Sequence, residues 1–384
     1  MLAGTNVALG VSGSIAAVKT VELAHELRRQ GADVRAVMTD SARGIVHPWA
    51  LEFATENPVV TEITGFVEHV GLCGYDGWAD VLLCAPSTAN TIGKIAAAVD
   101  DTPVTTTATT ALGADVPVVV APAMHEPMYD HPGVLEAIER LESWGVEFVD
   151  PRIEEGKAKI ASEEAVVLDV ARAGGGRPLA GKRVVVTSGA TSEPIDPVRV
   201  LSNRASGRTG RAVAKACYVR GAEVTLVHDG PDVPYADTLA VESAAEMLEA
   251  VQSVAGEADA LVSAAAIGDY TVEAAPEKIR SGQAVTLELE PTPKLIDSVR
   301  DDYPELPIVG FKLETAGDDE EMIEKARETL QRAGLEFVVA NDAGVMGSEA
   351  TRVIVVSGEK ATVHEGDKGT IGGRIADALG EAIA

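Results

Sequence analysis

Residues 6–39, NVALGVSGSIAAVKTVELAHELRRQGADVRAVMT, decide the fold. An apolar run ends at a Gly/Ser turn, an amphipathic segment follows, and a Gly-Ala pair leads into a second extended run. That succession reads as strand, turn, helix and parallel strand, with a glycine closing the helix. The plan returns at residues 182–194, KRVVVTSGATSEP, and 207–228, GRTGRAVAKACYVRGAEVTLVH, with a long insertion between strand and helix. Two doubly wound, Rossmann-like α/β domains are therefore expected. The periodicity breaks in residues 171–183, ARAGGGRPLAGKR, which places the domains at 1–177 and 178–384. Further buried strands are expected at 79–85, 116–121 and 146–150, then at 258–266, 306–311 and 336–342. Residues 351–365 read as an antiparallel hairpin before a last helix from Gly369.

A chain of 384 residues has room for two cores, and 46% hydrophobic residues exclude wholesale disorder. Sixty Asp and Glu against 32 Lys and Arg give a net charge of -28, which argues against a nucleic-acid partner, because phosphate recognition needs clustered cations. The acids are spread over helix faces such as 317–330, GDDEEMIEKARETL. They read as a solvated, halophilic surface whose self-repulsion salt screens, with an acidic docking face as the alternative. An anionic ligand must then be held by local groups. Cys73, Cys84 and Cys217 lack CxxC spacing, so no disulfide framework is expected. No cleavable leader and no bilayer-length apolar run are present, so a cytoplasmic chain without membrane contact is expected.

In the first half, Gly10, Ser12, Gly13 and Ser14 lie between a strand and a helix start, where amides and hydroxyls favour a phosphate. The spacing is not GxGxxG, which favours a mononucleotide such as FMN over a dinucleotide. A plain helix start is the bland alternative. Residues 79–94, ADVLLCAPSTANTIGK, end a buried strand in Ser87, Thr88, Asn90 and Thr91, uncharged groups suited to a phosphate or a flavin edge. N-capping by Ser87 or Thr88 accounts for one of these, not for all four. Together with 121–129, APAMHEPMY, these motifs resemble the flavin-dependent cysteine decarboxylase family, with its P-x-S/T-A-N-T segment and P-x-M-N-x-x-M substrate clamp. The resemblance implies an FMN site that also includes Thr39, and a clamp of Met124, His125 and Met128 over a cysteinyl substrate. It implies a catalytic acid or base at His69, in 68–80, EHVGLCGYDGWAD; His47 lies outside the motif and reads as structural. Two departures stand out: His125 replaces the clamp asparagine, and 154–164, EEGKAKIASEE, lacks the cysteine that protonates the enethiolate in the family. Lys157 or Lys159 is a substitute donor, or decarboxylation takes another course. The pairs His69/Cys73 and His125/His131 lack further ligands at zinc spacings.

In the second half, the helix entrance SGRTG can seat a triphosphate on backbone amides with Arg208 beside it, and it lacks the G-K-[ST] ending of a Walker loop. Residues 187–210, TSGATSEPIDPVRVLSNRASGRTG, resemble the phosphopantothenate-cysteine ligase signature. AAAIGDY, PEKIR, VGFKLET and VVANDAG continue the family's order. The resemblance covers nearly the whole chain and implies a flavodoxin-like flavoprotein domain followed by a ligase domain, as in the bifunctional enzymes of coenzyme A synthesis. It implies that Asn203 holds an acyl-cytidylate, that Asp269 sits by the ribose or Mg2+, and that Lys278 neutralises phosphate charge. It places CTP against Phe311, the backbone of Ser263, Ala264 and Ala265, and that of Pro293, Lys294, Leu295 and Ile296. Without the pattern, Phe311 reads as core and Lys278 as a solvated loop residue. The family's K-x-K-K run survives as Lys278 and Arg280, and two helix lysines stand as Thr329 and Ala333, which leaves CTP against ATP open.

The implied substrates are 4'-phosphopantothenate, cysteine and CTP. The implied assembly has flavin-domain trimers and ligase-domain dimers, up to a dodecamer. Three rivals are a nucleotide-linked oxidoreductase, a ligase with a silent flavin domain, and a flavin-binding regulatory module without turnover.

Overall fold

The computed structural model describes residues 1–154, 157–282, 284–314, 318–342 and 350–384. It divides into two compact units, Met1–Gly175 and Gly176–Ala384, two residues before the cut expected after Arg177. Each unit is an α/β sheet with its own core.

Unit 1 holds β1 (Asn6–Val11), β2 (Asp33–Met38), β3 (Val81–Ser87), β4 (Val118–Pro122), β5 (Met124–His125) and β6 (Glu147–Phe148). Its sheet runs β2-β1-β3-β4-β6 with every pair parallel. Every residue of β3 and β4 is buried, which is why these strands read as unbroken apolar runs rather than alternations. Helix Pro103–Gly113 starts at a Thr102/Thr105 capping box and packs on β1, β3 and β4. The core around Leu82, Ile92, Val104 and Leu141 is closed to solvent, and each such Leu or Ile contributes about 1.5–3 kcal/mol. The chain leaves β1 towards β2 and later returns on its other side as β3. The crevice this opens at the strands' carboxyl ends is where such sheets take ligands. A second small sheet was not foreseen: β7 (Arg152–Glu154) and β8 (Lys157–Lys159) form a hairpin whose β8 pairs with β5.

Unit 2 holds β9 (Arg183–Ser188), β10 (Ser192–Pro194), β11 (Val200–Ser202), β12 (Glu223–His228), β13 (Asp237–Ala240), β14 (Ala260–Ser263), β15 (Tyr270–Val272), β16 (Leu289–Pro291), β17 (Ile308–Glu314), β18 (Phe337–Asp342), β19 (Ala350–Ser357) and β20 (Lys360–Asp367). The main sheet runs β13-β12-β9-β14-β17-β18-β19-β20. It is parallel up to β18, and β19 and β20 add the antiparallel hairpin expected at 351–365. The last helix spans Lys368–Ala382 and packs on helix Arg208–Val219. Here the order reverses between β9 and β14. Two side hairpins, β10–β11 and β15–β16, stand beside that switch point.

Candidate active sites

In unit 1 the strand ends converge through hydroxyl groups. Ser12 Oγ donates to the Pro86 carbonyl at 2.7 Å and accepts the Thr88 N–H at 3.3 Å, so it ties β1 to β3 across the crevice. Ser14 Oγ donates to the Ala123 carbonyl at 3.2 Å, joining the turn to the end of β4. Thr39 caps the short helix Asp40–Arg43 and lies 3.0 Å from Ser41 Oγ. Thr88 caps Ala89–Ala96, its Oγ1 accepting the Thr91 N–H at 3.2 Å, and Asn90 is exposed on the first turn. A Cβ on Gly13 would come 2.3 Å from Ser41 Oγ and 2.6 Å from Ser41 Cβ, so only glycine lets these two turns meet.

Three placements differ from the simplest reading of the motif. Gly10 lies inside β1, paired with Val37 and Cys84, because a glycine near a strand end looks like the onset of a turn. Ser14 opens a 3-10 turn, Ile15–Lys19, and the α-helix begins only at Thr20. The Ser87 hydroxyl is buried and donates to the Cys84 carbonyl at 3.1 Å, where the β3–β4 register shifts.

The clamp residues divide: Met124 packs on the core, while His125 is exposed and Met128 is 47% exposed on the turn Glu126–Tyr129. Their main chain is held by β8, with Met124 opposite Ala158 and His125 opposite Lys157. The hairpin lacking the family cysteine thus stands against the clamp. Residues 155–156 and the Lys157 side chain lie outside the described residues, and Lys159 is half-buried on β8. His69 is on the helix Glu68–Cys73, anchored where Glu68 accepts the Thr64 N–H at 2.8 Å and the Thr64 hydroxyl. Its Nδ1 is buried without a hydrogen-bond partner. Around it Phe66, Val67, Val70 and Tyr75 are exposed, the first by 89%. His47 is a helix cap, its Nδ1 accepting the Trp49 N–H at 3.3 Å. It also lines an open cavity of about 500 Å³ that holds none of the expected flavin residues.

All three cysteines are free and buried. Burial pushes the Cys73 thiol up to about 12; burial, helped by Cys73, does the same to Cys84; and burial raises Cys217 to about 12 against the opposing pull of Arg220.

In unit 2 a cleft of about 710 Å³ lies over the switch point, walled by Gly189, residues 204–210, Ala264–Ile267, Asp269 and Phe311. Helix Arg208–Val219 opens into it from Gly207, at φ +67° and with no side-chain cap. A Cβ on Gly207 would lie 2.8 Å from Gly189 Cα, so two glycines make the loop's close approach. Uncapped first-turn N–H groups and the helix dipole favour an anion there. The floor is laced together: Ala265 N–H donates to Thr187 Oγ1 at 3.2 Å, and Gly268 N–H to Thr191 Oγ1 at 2.9 Å. Asn203 uses both ends of its amide, donating to the Ala266 carbonyl at 2.6 Å and accepting the Ala205 N–H at 2.9 Å.

Ser263 is buried at the end of β14, next to Ala264 and Ala265 in the cleft wall. Asp269 is ion-paired with Lys294 at 2.5 Å; Pro293 is exposed, whereas Leu295 is core and Ile296 packs on it. Lys278 is exposed on the loop between β15 and β16 and is not among the cleft-lining residues. Residues 315 and 343–344, the ends of VGFKLET and VVANDAG, lie outside the described residues. Arg204, Lys312, Asn341, Thr351 and Lys368 also line the cleft. Four of its lining residues, Arg204, Arg208, Lys312 and Lys368, are cationic in a chain of net charge -28. Among the described residues, no group of three or more acidic, His or Cys side chains could hold a metal, and no helix is long and apolar enough to cross a membrane.

Beside the cleft, Asp196 is buried; burial raises its pKa, but the backbone N–H groups of Val198, Ile279 and Arg199 and the Arg199 guanidinium outweigh that and hold it at about 2, below the ordinary 3.8. A carboxylate depressed in the folded state stabilises above its unfolded value and loses that contribution as pH falls through its folded one. Unit 2 is therefore expected to lose stability between pH 3.8 and about 2 more steeply than an Asp196→Asn variant. Acid titrations of thermal unfolding followed by circular dichroism check it; parallel curves would rule the contribution out.

The family model described as "Flavoprotein" matches residues 1–173, and that described as "DNA/pantothenate metabolism flavoprotein C-terminal domain" matches 179–382. The coenzyme A biosynthesis bifunctional protein CoaBC of Thermococcus kodakarensis is 52% identical over 92% of this chain and 89% of its own length. The chain belongs to the CoaBC family. The CoaBC of Methanocaldococcus jannaschii is 35% identical over 100% of this chain and 95% of its own. The solved C-terminal domain of a CoaBC aligns with 53% of this chain and 97% of that one, at 29% identity and TM-score 0.45. Like its CoaBC relatives, the chain is a bifunctional enzyme of coenzyme A biosynthesis, a flavoprotein unit followed by a ligase unit. Of the further cleft residues, Lys312 and Asn341 lie inside VGFKLET and VVANDAG on β17 and β18, whereas Thr351 on β19 and Lys368 at the start of the last helix fall outside these motifs and are brought in by the sheet order.

Proposed function

We propose that unit 2 ligates cysteine to 4'-phosphopantothenate at the expense of CTP and that unit 1, with FMN, decarboxylates the product to 4'-phosphopantetheine. The observation that carries the reading is the unit 2 cleft, with an uncapped helix start and four cations in a strongly acidic chain. A triphosphate fits the N–H groups from Arg208 onward, with Arg208 and Lys368 supplying the charge the rest of the chain lacks. The 4'-phosphopantothenate carboxylate attacks the α-phosphate, pyrophosphate leaves, and the cysteine amine displaces CMP from the mixed anhydride. Asn203, which holds the Ala266 carbonyl of the cleft wall, steadies the acyl group. Asp269 supplies the single carboxylate that a nucleotide-borne Mg2+ needs, on release from Lys294.

In unit 1 the uncharged turns at Ser12–Ser14, Thr39 and Thr88 fit a flavin phosphate, and the orphaned Nδ1 of His69 fits a site completed by a ligand. Bound there, FMN supplies two-electron oxidation of the substrate thiol and its reversal. His69 moves the proton, and Met124, His125 and Met128 cover the cysteinyl end. Gly13→Ala, by forcing Ser41 away, is expected to weaken FMN binding about tenfold, read by flavin fluorescence titration; unchanged affinity would place the phosphate elsewhere.

Ile15, Val18, Trp49, Phe53 and Phe66, exposed by 56–89%, support a homo-oligomer in which His69 serves a site shared between copies. The reduced thiols suit a cytoplasmic enzyme. One observation favours a second reading: no accessible thiol replaces the family's cysteine, as expected of a ligase with a silent flavin unit. Incubation in high salt with FMN, Mg2+, 4'-phosphopantothenate, cysteine and CTP, followed by mass spectrometry, separates the two. 4'-Phosphopantetheine with CMP supports both activities, 4'-phosphopantothenoylcysteine alone supports the second reading, and no product overturns both.

A further inference from the structure

We propose that Asp196 is a positioning residue of the ligase reaction, which with Arg199 fixes the backbone from which Lys278 projects; this rests on the ligase reading above and on the phosphate-neutralising role that the family resemblance implies for Lys278. The Ile279 peptide is gripped at both of its polar atoms. Its N–H donates to Asp196 Oδ2 at 3.1 Å, and its carbonyl accepts from Arg199 Nη2. Asp196 and Arg199 are themselves paired at 2.5 Å, so the two grips act as one. On the other side of Lys278, the Ala275 N–H donates to the Ile195 carbonyl at 2.9 Å. Lys278 is exposed, yet the main chain on both sides of it is stapled to the turn of the β10–β11 hairpin.

The grip is rigid because the Asp196 side chain is fully buried and its Oδ1 accepts the Val198 and Arg199 N–H groups at 2.9 Å each. A buried carboxylate is costly unless its lone pairs are met, and here three backbone donors and a guanidinium meet them. The same hairpin continues through β11 to Asn203, which holds the Ala266 carbonyl. One hairpin thus places both the loop of Lys278 and the residue assigned to the acyl intermediate.

Asparagine at 196 separates these roles. Its amide oxygen can keep the Val198 and Arg199 N–H groups, while its NH2 faces two donors, the Ile279 N–H and Arg199, and releases the peptide. In the full chain, Asp196→Asn is expected to lower kcat for CTP-dependent pyrophosphate release about 10²-fold, the scale for a misplaced group, with KM for 4'-phosphopantothenate changed less than about threefold. Lys278→Ala should cost about as much, and the double variant no more than Lys278→Ala alone. The Ile279 amide, protected from hydrogen exchange in the wild type, should lose that protection in Asp196→Asn. A wild-type rate in Asp196→Asn, losses that multiply in the double variant, or an Ile279 amide unprotected in the wild type would each overturn the proposal. If Asp196→Asn does not fold, Arg199→Gln, which removes the carbonyl grip and the ion pair to Asp196 but leaves the Ile279 N–H bond, is expected to show the same loss of rate and no further loss when combined with Lys278→Ala. A wild-type chain releasing no pyrophosphate would sink the ligase reading and the catalytic role with it, while the Ile279 exchange would still report whether the grip exists.

Discussion

Replacing His69 with asparagine is expected to lower decarboxylation of supplied 4'-phosphopantothenoylcysteine about 10³-fold while CTP-dependent pyrophosphate release stays at the wild-type rate. The imidazole has a buried Nδ1 without a partner, and the start of its helix is fixed through Glu68 and Thr64. Asparagine keeps a polar group of similar reach but has no ring nitrogen able to accept a proton and return it. Mass spectrometry of the thiol product gives the rate, and flavin absorbance of the purified variant gives the control. Loss of product with flavin retained supports proton transfer by His69. Loss of both would make His69 a flavin-binding residue instead, and a wild-type rate would remove it from the site.

The second large effect belongs to unit 2. Gly207→Ala is expected to lower pyrophosphate release about 10²-fold, because the loop that seats the anion has no room to keep its place. The new Cβ meets Gly189 Cα and N at 2.8 Å, and φ +67° adds strain of about 1–3 kcal/mol. Gly207→Asn tells the two causes apart, since asparagine tolerates the left-handed region but still carries the Cβ. Activity lost in both variants points to the contact; activity restored by asparagine points to the backbone angle. Decarboxylation in unit 1, with its own sheet and core, should be unaffected by either.

Both sheets were legible because strands buried on two faces leave unbroken apolar runs, and because Gly-Ala pairs close the helices Thr20–Arg29 and Arg208–Val219. The side hairpins β7–β8 and β15–β16 were not, since strands of three residues carry no period. The ligase cleft was half legible. Arg208 and Gly207 sit in one contiguous loop whose chemistry shows in the spacing, and Lys312 and Asn341 fall in VGFKLET and VVANDAG, but Thr351 and Lys368 come from β19 and the last helix, outside those motifs. Leu295 falls in a stretch whose backbone is expected against the nucleotide by resemblance, and its side chain is 3% exposed in the core, which leaves the main chain for a ligand.

The three buried thiols bear on how the enzyme lives with its own chemistry. Cysteine and the thiol product exchange with accessible disulfides, and their own disulfide forms are attacked by accessible protein thiols, at a rate set by the thiolate fraction and by access. With each thiol held near 12 and sealed in a core, the chain presents no partner for mixed disulfides with the metabolites it handles. Thiol oxidation would then reach the free substrate before it reached the cysteines of the catalyst.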